Sequence, residues 1–199
     1  MKAIFQIKDL EQIYTILDSA SYGTLALSKG VVPYSVPVNF ARDDKVIYIH
    51  GSKSGKKMRY LDVNKNVSFS VVQEGSLIPS YFSSKSGLAC PATQFFSSVI
   101  IEGLAQIVQD FDEKTKALSL LMQKLQSEGG YKPLLSKEYK STIDATAIIK
   151  ITPYSIGAKA KYGQNLSKER FEMVLQHLSK RGTSLDKQTI QKMKDYYGV

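Results

Sequence analysis

Short apolar runs, broken by turns, dominate the chain from Thr24 to Gln73, and no long helical pattern interrupts them. Thr24-Leu25-Ala26-Leu27 reads as a strand and Ser28-Lys29-Gly30 as a turn. From Tyr34 to Phe40 the pattern alternates with period two, placing Tyr34, Val36, Val38 and Phe40 on one face. Pro37 has no N–H to give to a ladder, so this strand belongs at an edge or a bulge. Arg42-Asp43-Asp44 reads as a turn, Val46–His50 as a strand and Val67–Gln73 as another. Strands that come in a run before any long helix indicate antiparallel pairing rather than alternating βαβ units. The fold class expected is mainly β (α+β), an antiparallel split barrel of about six strands with peripheral helices.

The remaining segments fit that frame. Asp9–Ser19 carries Leu10, Ile13, Tyr14 and Leu17 at helical spacing. Lys53–Asn64 should hold a short helix, and Glu74–Gln94, rich in Ser, Gly and Pro, reads as a long connection. A strand is expected over Phe95–Val108, interrupted at Gly103. Asp112–Gln126 follows as an amphipathic helix with Ala117, Leu118, Leu121, Met122 and Leu125 on its apolar stripe. Ala147–Ile151 and Ser155–Tyr162 read as two strands with a corner at Thr152-Pro153. Leu166–Lys180 and Leu185–Tyr196 read as basic amphipathic helices. The domain division expected is 1–162 for the barrel and 163–199 for a helical extension packed on it.

A hydrophobic content of 43% supports a real core. The net charge of +9 favours anionic partners. The basic C-terminal stretch lacks a readable nucleic-acid motif, so nucleic acid is not expected as a partner. One cysteine, Cys90, leaves no internal disulfide and fits a reducing compartment. No apolar run reaches the roughly twenty residues of a membrane span, and the N-terminus has no signal-like apolar core. A cytoplasmic protein away from the membrane is expected. Two scattered histidines and one cysteine offer no metal-ligand spacing.

The richest local chemistry is Ile47-Tyr48-Ile49-His50-Gly51-Ser52-Lys53-Ser54-Gly55-Lys56-Lys57. An apolar strand enters a small, basic turn and then a helix. Gly51 and Gly55 let the backbone approach a ligand, Ser52 and Ser54 offer hydroxyls, and Lys53, Lys56 and Lys57 place three cations around one bend. This set suits a bound phosphate, although the spacing is not that of a P-loop. The alternative is a solvated helix start, which the macrodipole disfavours for lysines. His50 is either a hydrogen-bonded structural residue or a ligand contact able to move a proton. Asn39, Ser97 and Ser98 could bond a ligand or serve local structure. His177, in a polar helix, reads as exposed. Cys90 reads as a packed or weakly exposed thiol rather than a nucleophile.

Taken in order, Gly23–Leu27, Pro33–Phe40, Ile47–Lys57, Asn64–Phe69 and Phe96–Gly103 resemble the pyridoxamine 5′-phosphate oxidase-like split barrels. Within these, the pattern is nearest the nitroimidazole-resistance (Nim-type) flavoproteins. The resemblance covers roughly Tyr22 to Tyr162. It implies an FMN-binding homodimer with the flavin at the interface, acting as an FMN-dependent oxidoreductase on a small-molecule electron acceptor such as a nitroaromatic compound. By residue, it puts Pro37, Val38 and Asn39 beside the flavin ring and His50, Gly51 and Ser52 along the ribityl chain. It puts Lys53 and Lys57 on the phosphate, with Lys56 beside them, and brings Ser97, Ser98 and Val99 from a strand near the interface. His50 is the catalytic candidate. The arginine-rich phosphate cluster of the true pyridoxamine phosphate oxidases is missing, so that substrate is not implied. The alternative is a flavin, haem or deazaflavin protein that stores its ligand or senses redox state without turnover.

Overall fold

The computed structural model describes residues 2–198. In chain order the elements are β1 (Gln6–Ile7), α1 (Leu10–Ser19), β2 (Gly23–Lys29), β3 (Val32–Val38), β4 (Ala41–Asp43), β5 (Val46–Gly51) and α2 (Lys56–Leu61). They continue with β6 (Asn66–Ile78), β7 (Thr93–Ile107), α3 (Phe111–Leu125), α4 (Lys140–Ala145), β8 (Ala147–Lys161), α5 (Lys168–Arg181) and α6 (Ser184–Tyr197). The strands form an eight-stranded sheet in the order β3-β2-β6-β7-β8-β5-β4, with β1 added on β8. The pairs β1–β8, β2–β3, β2–β6, β4–β5 and β5–β8 are antiparallel. This is an open α+β split-barrel sheet, as the run of strands predicts. Among the described residues no helix is long and apolar enough to cross a membrane.

By contacts the chain divides into two units. The first comprises the chain up to Ile13, Val72–Ser98, and everything from Ala158 onward. The second is Tyr14–Val71 with Val99–Gly157. In the second unit, Leu25, Ile47, Ile49, Phe69, Ile101, Ile148, Ile149 and Ile151 are fully buried. Tyr48, Val108, Ala117 and Ile148 form one cluster, which seats α3 on the sheet. Asp110 caps α3 by accepting from the Glu113 N–H at 2.7 Å. The edge position of β3 agrees with its Pro37, and Tyr34, Val36, Val38 and Phe40 do share the more buried face.

The first unit is built on α5 and α6. Their apolar residues Phe171, Val174, Leu178 and Met193 are buried, as are Ile78, Phe95 and Tyr162. Asp186 is wholly buried. It accepts from Ser76 Oγ at 2.6 Å, from Arg181 Nη2 at 2.5 Å and Nε at 2.9 Å, and from the Thr183 N–H at 3.1 Å. Together with Thr183 it makes the capping box of α6.

Four local expectations are corrected. The connection read as Glu74–Gln94 begins only after Ile78, because β6 continues through Ser76. Its small polar residues look like loop, yet the Ser76 N–H and hydroxyl are both satisfied by α6 through Thr189 and Asp186. β7 runs unbroken past Gly103, where a Cβ would sit 2.6 Å from the Thr152 carbonyl oxygen. The glycine therefore permits a close strand approach instead of ending the strand. β8 also runs unbroken through Thr152-Pro153. β5 pairs with it only up to Ile151, and β1 only from Ala158, so Pro153 sits where neither of these partners calls for an N–H. The Arg42-Asp43-Asp44 turn is tighter than expected: Ala41–Asp43 is strand, and Asp44 turns at φ 50°.

Candidate functional site

In the second unit, β5 buries three consecutive residues, Ile47, Tyr48 and Ile49, and then changes character. His50 is exposed at the strand end, opposite Ile148, and Gly51 lies opposite Ala147. Among the described residues the His50 side chain makes no hydrogen bond, ion pair or ring contact, while its backbone pairs with Ile148. The structural hydrogen bond considered for it is not made.

Beyond Gly51 the chain bends. The Ser54 N–H donates to Ser52 Oγ at 3.2 Å, and the two hydroxyl oxygens lie 3.3 Å apart. Gly55 turns at φ +112°, and α2 starts at Lys56 with no acidic residue in its first turn. A Cβ on Gly51 would sit 2.9 Å from Lys57 Nζ, so the absence of a side chain there leaves the place the ammonium fills. Lys57 is half-buried, and that burial pushes its pKa down. Among the described residues no carboxylate forms a salt bridge with it.

The three lysines of this bend have separate fates. Lys53 is exposed, with its charge felt by Lys114 of α3. Lys56 turns the other way. Its Nζ lies 4.4 Å from the centre of the Tyr34 ring and 5.6 Å from that of Tyr60, a cation–π arrangement that ties α2 to β3. Lys57 is left as the cation against the glycine turn. Lys114 was not anticipated. It is 5% exposed, donates from Nζ to the Asp144 carbonyl at 3.1 Å, and is held below the ordinary lysine range by burial and then by Lys53. Its signal was present in the sequence: Lys114 falls on the same helical stripe as Ala117 and Leu121, where a charge needs a reason.

The other predicted residues are dispersed. Pro37 is exposed and Val38 half-buried on β3. Asn39 is exposed and donates from Nδ2 to the Ser21 carbonyl at 3.0 Å, a local tie. Val99 is fully buried in the second unit. In the first unit, Ser97 is buried and donates to Tyr162 Oη at 3.3 Å, while Ser98 is partly exposed. His177, expected to be exposed, is partly buried, and its ring stacks on Phe82 at 4.6 Å between centroids.

Residues 9–160 match the family model described as pyridoxamine 5′-phosphate oxidase. The chain belongs to the pyridoxamine 5′-phosphate oxidase family. Solved structures share the fold of this family member at low identity. One is a candidate 5-nitroimidazole antibiotic resistance protein from Bacteroides thetaiotaomicron VPI-5482, 20% identical, with a TM-score of 0.65 over 77% of this chain and 85% of that one. A second is the flavocytochrome Anf3 from Azotobacter vinelandii, 23% identical, with a TM-score of 0.64 over 79% and 69%. A third is a FAD and heme binding protein from Mycobacterium smegmatis, 20% identical, with a TM-score of 0.62 over 78% and 73%. Among curated proteins none matches the sequence.

Proposed function

We propose that this chain binds FMN by its phosphate and works as an oxidoreductase that passes electrons to a small acceptor, such as a nitroaromatic compound. One observation carries the reading. Lys57 is a half-buried ammonium placed against a glycine turn, with no carboxylate paired to it among the described residues. Removing a cation from water without a partner is unfavourable, and an anion at the turn offsets that cost. The residues present fit a phosphate: Lys57 and Lys53 supply charge, and the Ser52 and Ser54 hydroxyls supply donors. Lys56 is committed to Tyr34 and is not assigned to the phosphate.

Family membership supports a flavin, as do neighbours described as a flavocytochrome and a FAD and heme binding protein. The neighbour tied to 5-nitroimidazole resistance supports a nitroaromatic acceptor. A bound flavin supplies the electron transfer, which no side chain here could provide. The protein's part is to hold and shield. Exposed His50 beside Gly51 can contact the flavin's side chain, and Pro37 and Val38 offer an apolar edge to a ring. The homodimer belongs to the same proposal. Ile100, Leu104 and Tyr154 are large apolar side chains left exposed in the second unit, and a second copy would cover them.

The test is direct. The absorption spectrum and mass of the ligand that co-purifies identify it, and titration compares FMN with FAD. NADH or NADPH oxidation is then followed with and without a nitroaromatic acceptor. Tighter FMN than FAD binding and acceptor-dependent oxidation are expected. A flavin-free protein that FMN does not bind would overturn the proposal, and flavin binding without any turnover would reduce it to a carrier.

A further inference from the structure

A separate cavity lies in the first unit, with a volume of about 200 Å³. It opens where the 79–92 connection meets β7, β8 and the start of α5. That is below the roughly 300–1,000 Å³ of sites for drug-sized ligands, so a flavin does not fit it. Its lining is divided. Phe95 and Leu166 give it an apolar side, Lys161 and Arg170 give it two cations, and no aspartate or glutamate lines it.

Both cations are fixed in place. Arg170 donates from Nε to the Ser83 carbonyl at 2.8 Å and from Nη2 to Ser83 Oγ at 3.2 Å. Those bonds use two of the five guanidinium donors and leave three. Lys161 donates to Thr93 Oγ1, which leaves two of its three. Neither cation forms a salt bridge among the described residues. The charge that most affects Lys161 is another cation, Lys159. Two held cations without a counter-charge in a small volume describe a receptor for a small anion. We infer that this cavity binds a small organic carboxylate. A planar carboxylate can meet the free guanidinium donors of Arg170 with both oxygens, with Lys161 as its second cation.

The cavity carries its own reporter. Cys90 lines it, is exposed, and is the only cysteine in the chain. The experiment measures the rate at which neutral iodoacetamide alkylates Cys90 in the purified full-length protein, with benzoate, benzamide or inorganic phosphate added. Benzoate is expected to slow alkylation about tenfold at roughly ten times its Kd. Benzamide, the same shape without the charge, should not slow it, and phosphate should do so more weakly than benzoate. Lys161→Gln should abolish the protection, the slowing in each protein being taken relative to that protein's own unprotected rate. Arg170→Gln should also abolish it, but it loosens Ser83 as well, so the lysine variant decides. Equal protection by benzamide would show a merely apolar pocket. Equal protection by phosphate would show an inorganic-anion site. Either result, full protection in Lys161→Gln, or no slowing by benzoate at any soluble concentration, would overturn the inference.

Discussion

Replacing Lys57 with Met tests the phosphate assignment against its nearest competitor, because Lys56 next door supplies an internal control. The substitution keeps an unbranched stem of similar reach and removes only the charge. A charge-assisted hydrogen bond contributes about 1.5–3 kcal/mol. At roughly 1.4 kcal/mol per factor of ten, Lys57→Met should weaken FMN about ten- to a hundredfold. The loss should grow as ionic strength falls. Lys56→Met should leave FMN affinity within about twofold and cost about 0.5–1 kcal/mol of stability, since its charge sits over Tyr34. The flavin-free protein adds a second, opposite readout. Burial depresses the folded-state pKa of Lys57, so folding disfavours its proton. The penalty is full at pH values below that depressed pKa, and it fades as pH rises toward the ordinary lysine value of about 10.4. Lys57→Met should therefore raise the melting temperature of the flavin-free protein near neutral pH, and the gain should vanish in alkaline buffer. Fluorescence quenching of FMN and thermal melting at several pH values measure both effects. Parent-like FMN affinity in Lys57→Met, or an equal loss in Lys56→Met, would refute the reasoning.

Asp186→Asn should destabilise the protein by about 1–3 kcal/mol in denaturant titrations, because the buried carboxylate that accepts from Ser76, Arg181 and Thr183 is lost. In the parent, Arg181 and Ser76 hold the Asp186 pKa well below the carboxylate range. Its stabilisation is thus complete above about pH 4 and lost as pH falls further, and the variant's melting temperature should lack that acid-side component. Gly103→Ala should cost about 1–3 kcal/mol in the same titrations, since its Cβ meets the Thr152 carbonyl at 2.6 Å and backbone must move. Ile100→Lys should shift the protein toward monomer in light scattering, and unchanged mass would count against a dimer through that face. His50→Ala should leave the melting temperature as it was, the side chain being exposed and unbonded, while altering FMN affinity or the flavin spectrum; a lowered melting temperature with an unaltered spectrum would show a structural role.

The fold was readable where the signal is local. Alternation in β2 and β3, the Pro37 edge and the apolar stripe of α3 each follow from neighbours within a few residues. What stayed hidden depends on distant partners. Nothing near Gly75-Ser76 announces a strand, because the groups that satisfy Ser76 lie on α6, 110 and 113 residues away. Thr152-Pro153 reads as a corner from its own chemistry, and only the partner strands show that no N–H is needed there. At the site, residue identity gave the cationic turn but not the direction of each lysine. The resemblance already puts Lys53 and Lys57 on the phosphate with Lys56 beside them, but only the structure shows that the ring of Tyr34 holds Lys56.

The same aromatic rings bear on the excess positive charge. Arg42 lies 4.0 Å from the Tyr14 ring centre, Lys124 3.6 Å from that of Phe40, Arg181 5.1 Å from Phe82, and Lys192 5.3 Å from Tyr162. Lys124 is pushed down to about 8 by burial against the core. A net charge of +9 thus overstates the cations free to meet an outside anion, since several cover ring faces and contribute to packing. Many other lysines are exposed; among the described residues the cations that are at least partly buried with neither a carboxylate nor a ring partner are Lys57 at the glycine turn and Lys114 on α3 in the second unit, and Lys161 and Arg170 in the cavity of the first. Two compact cationic sites suit the small anions proposed for them: a phosphate at the glycine turn, and a carboxylate at Lys161 and Arg170.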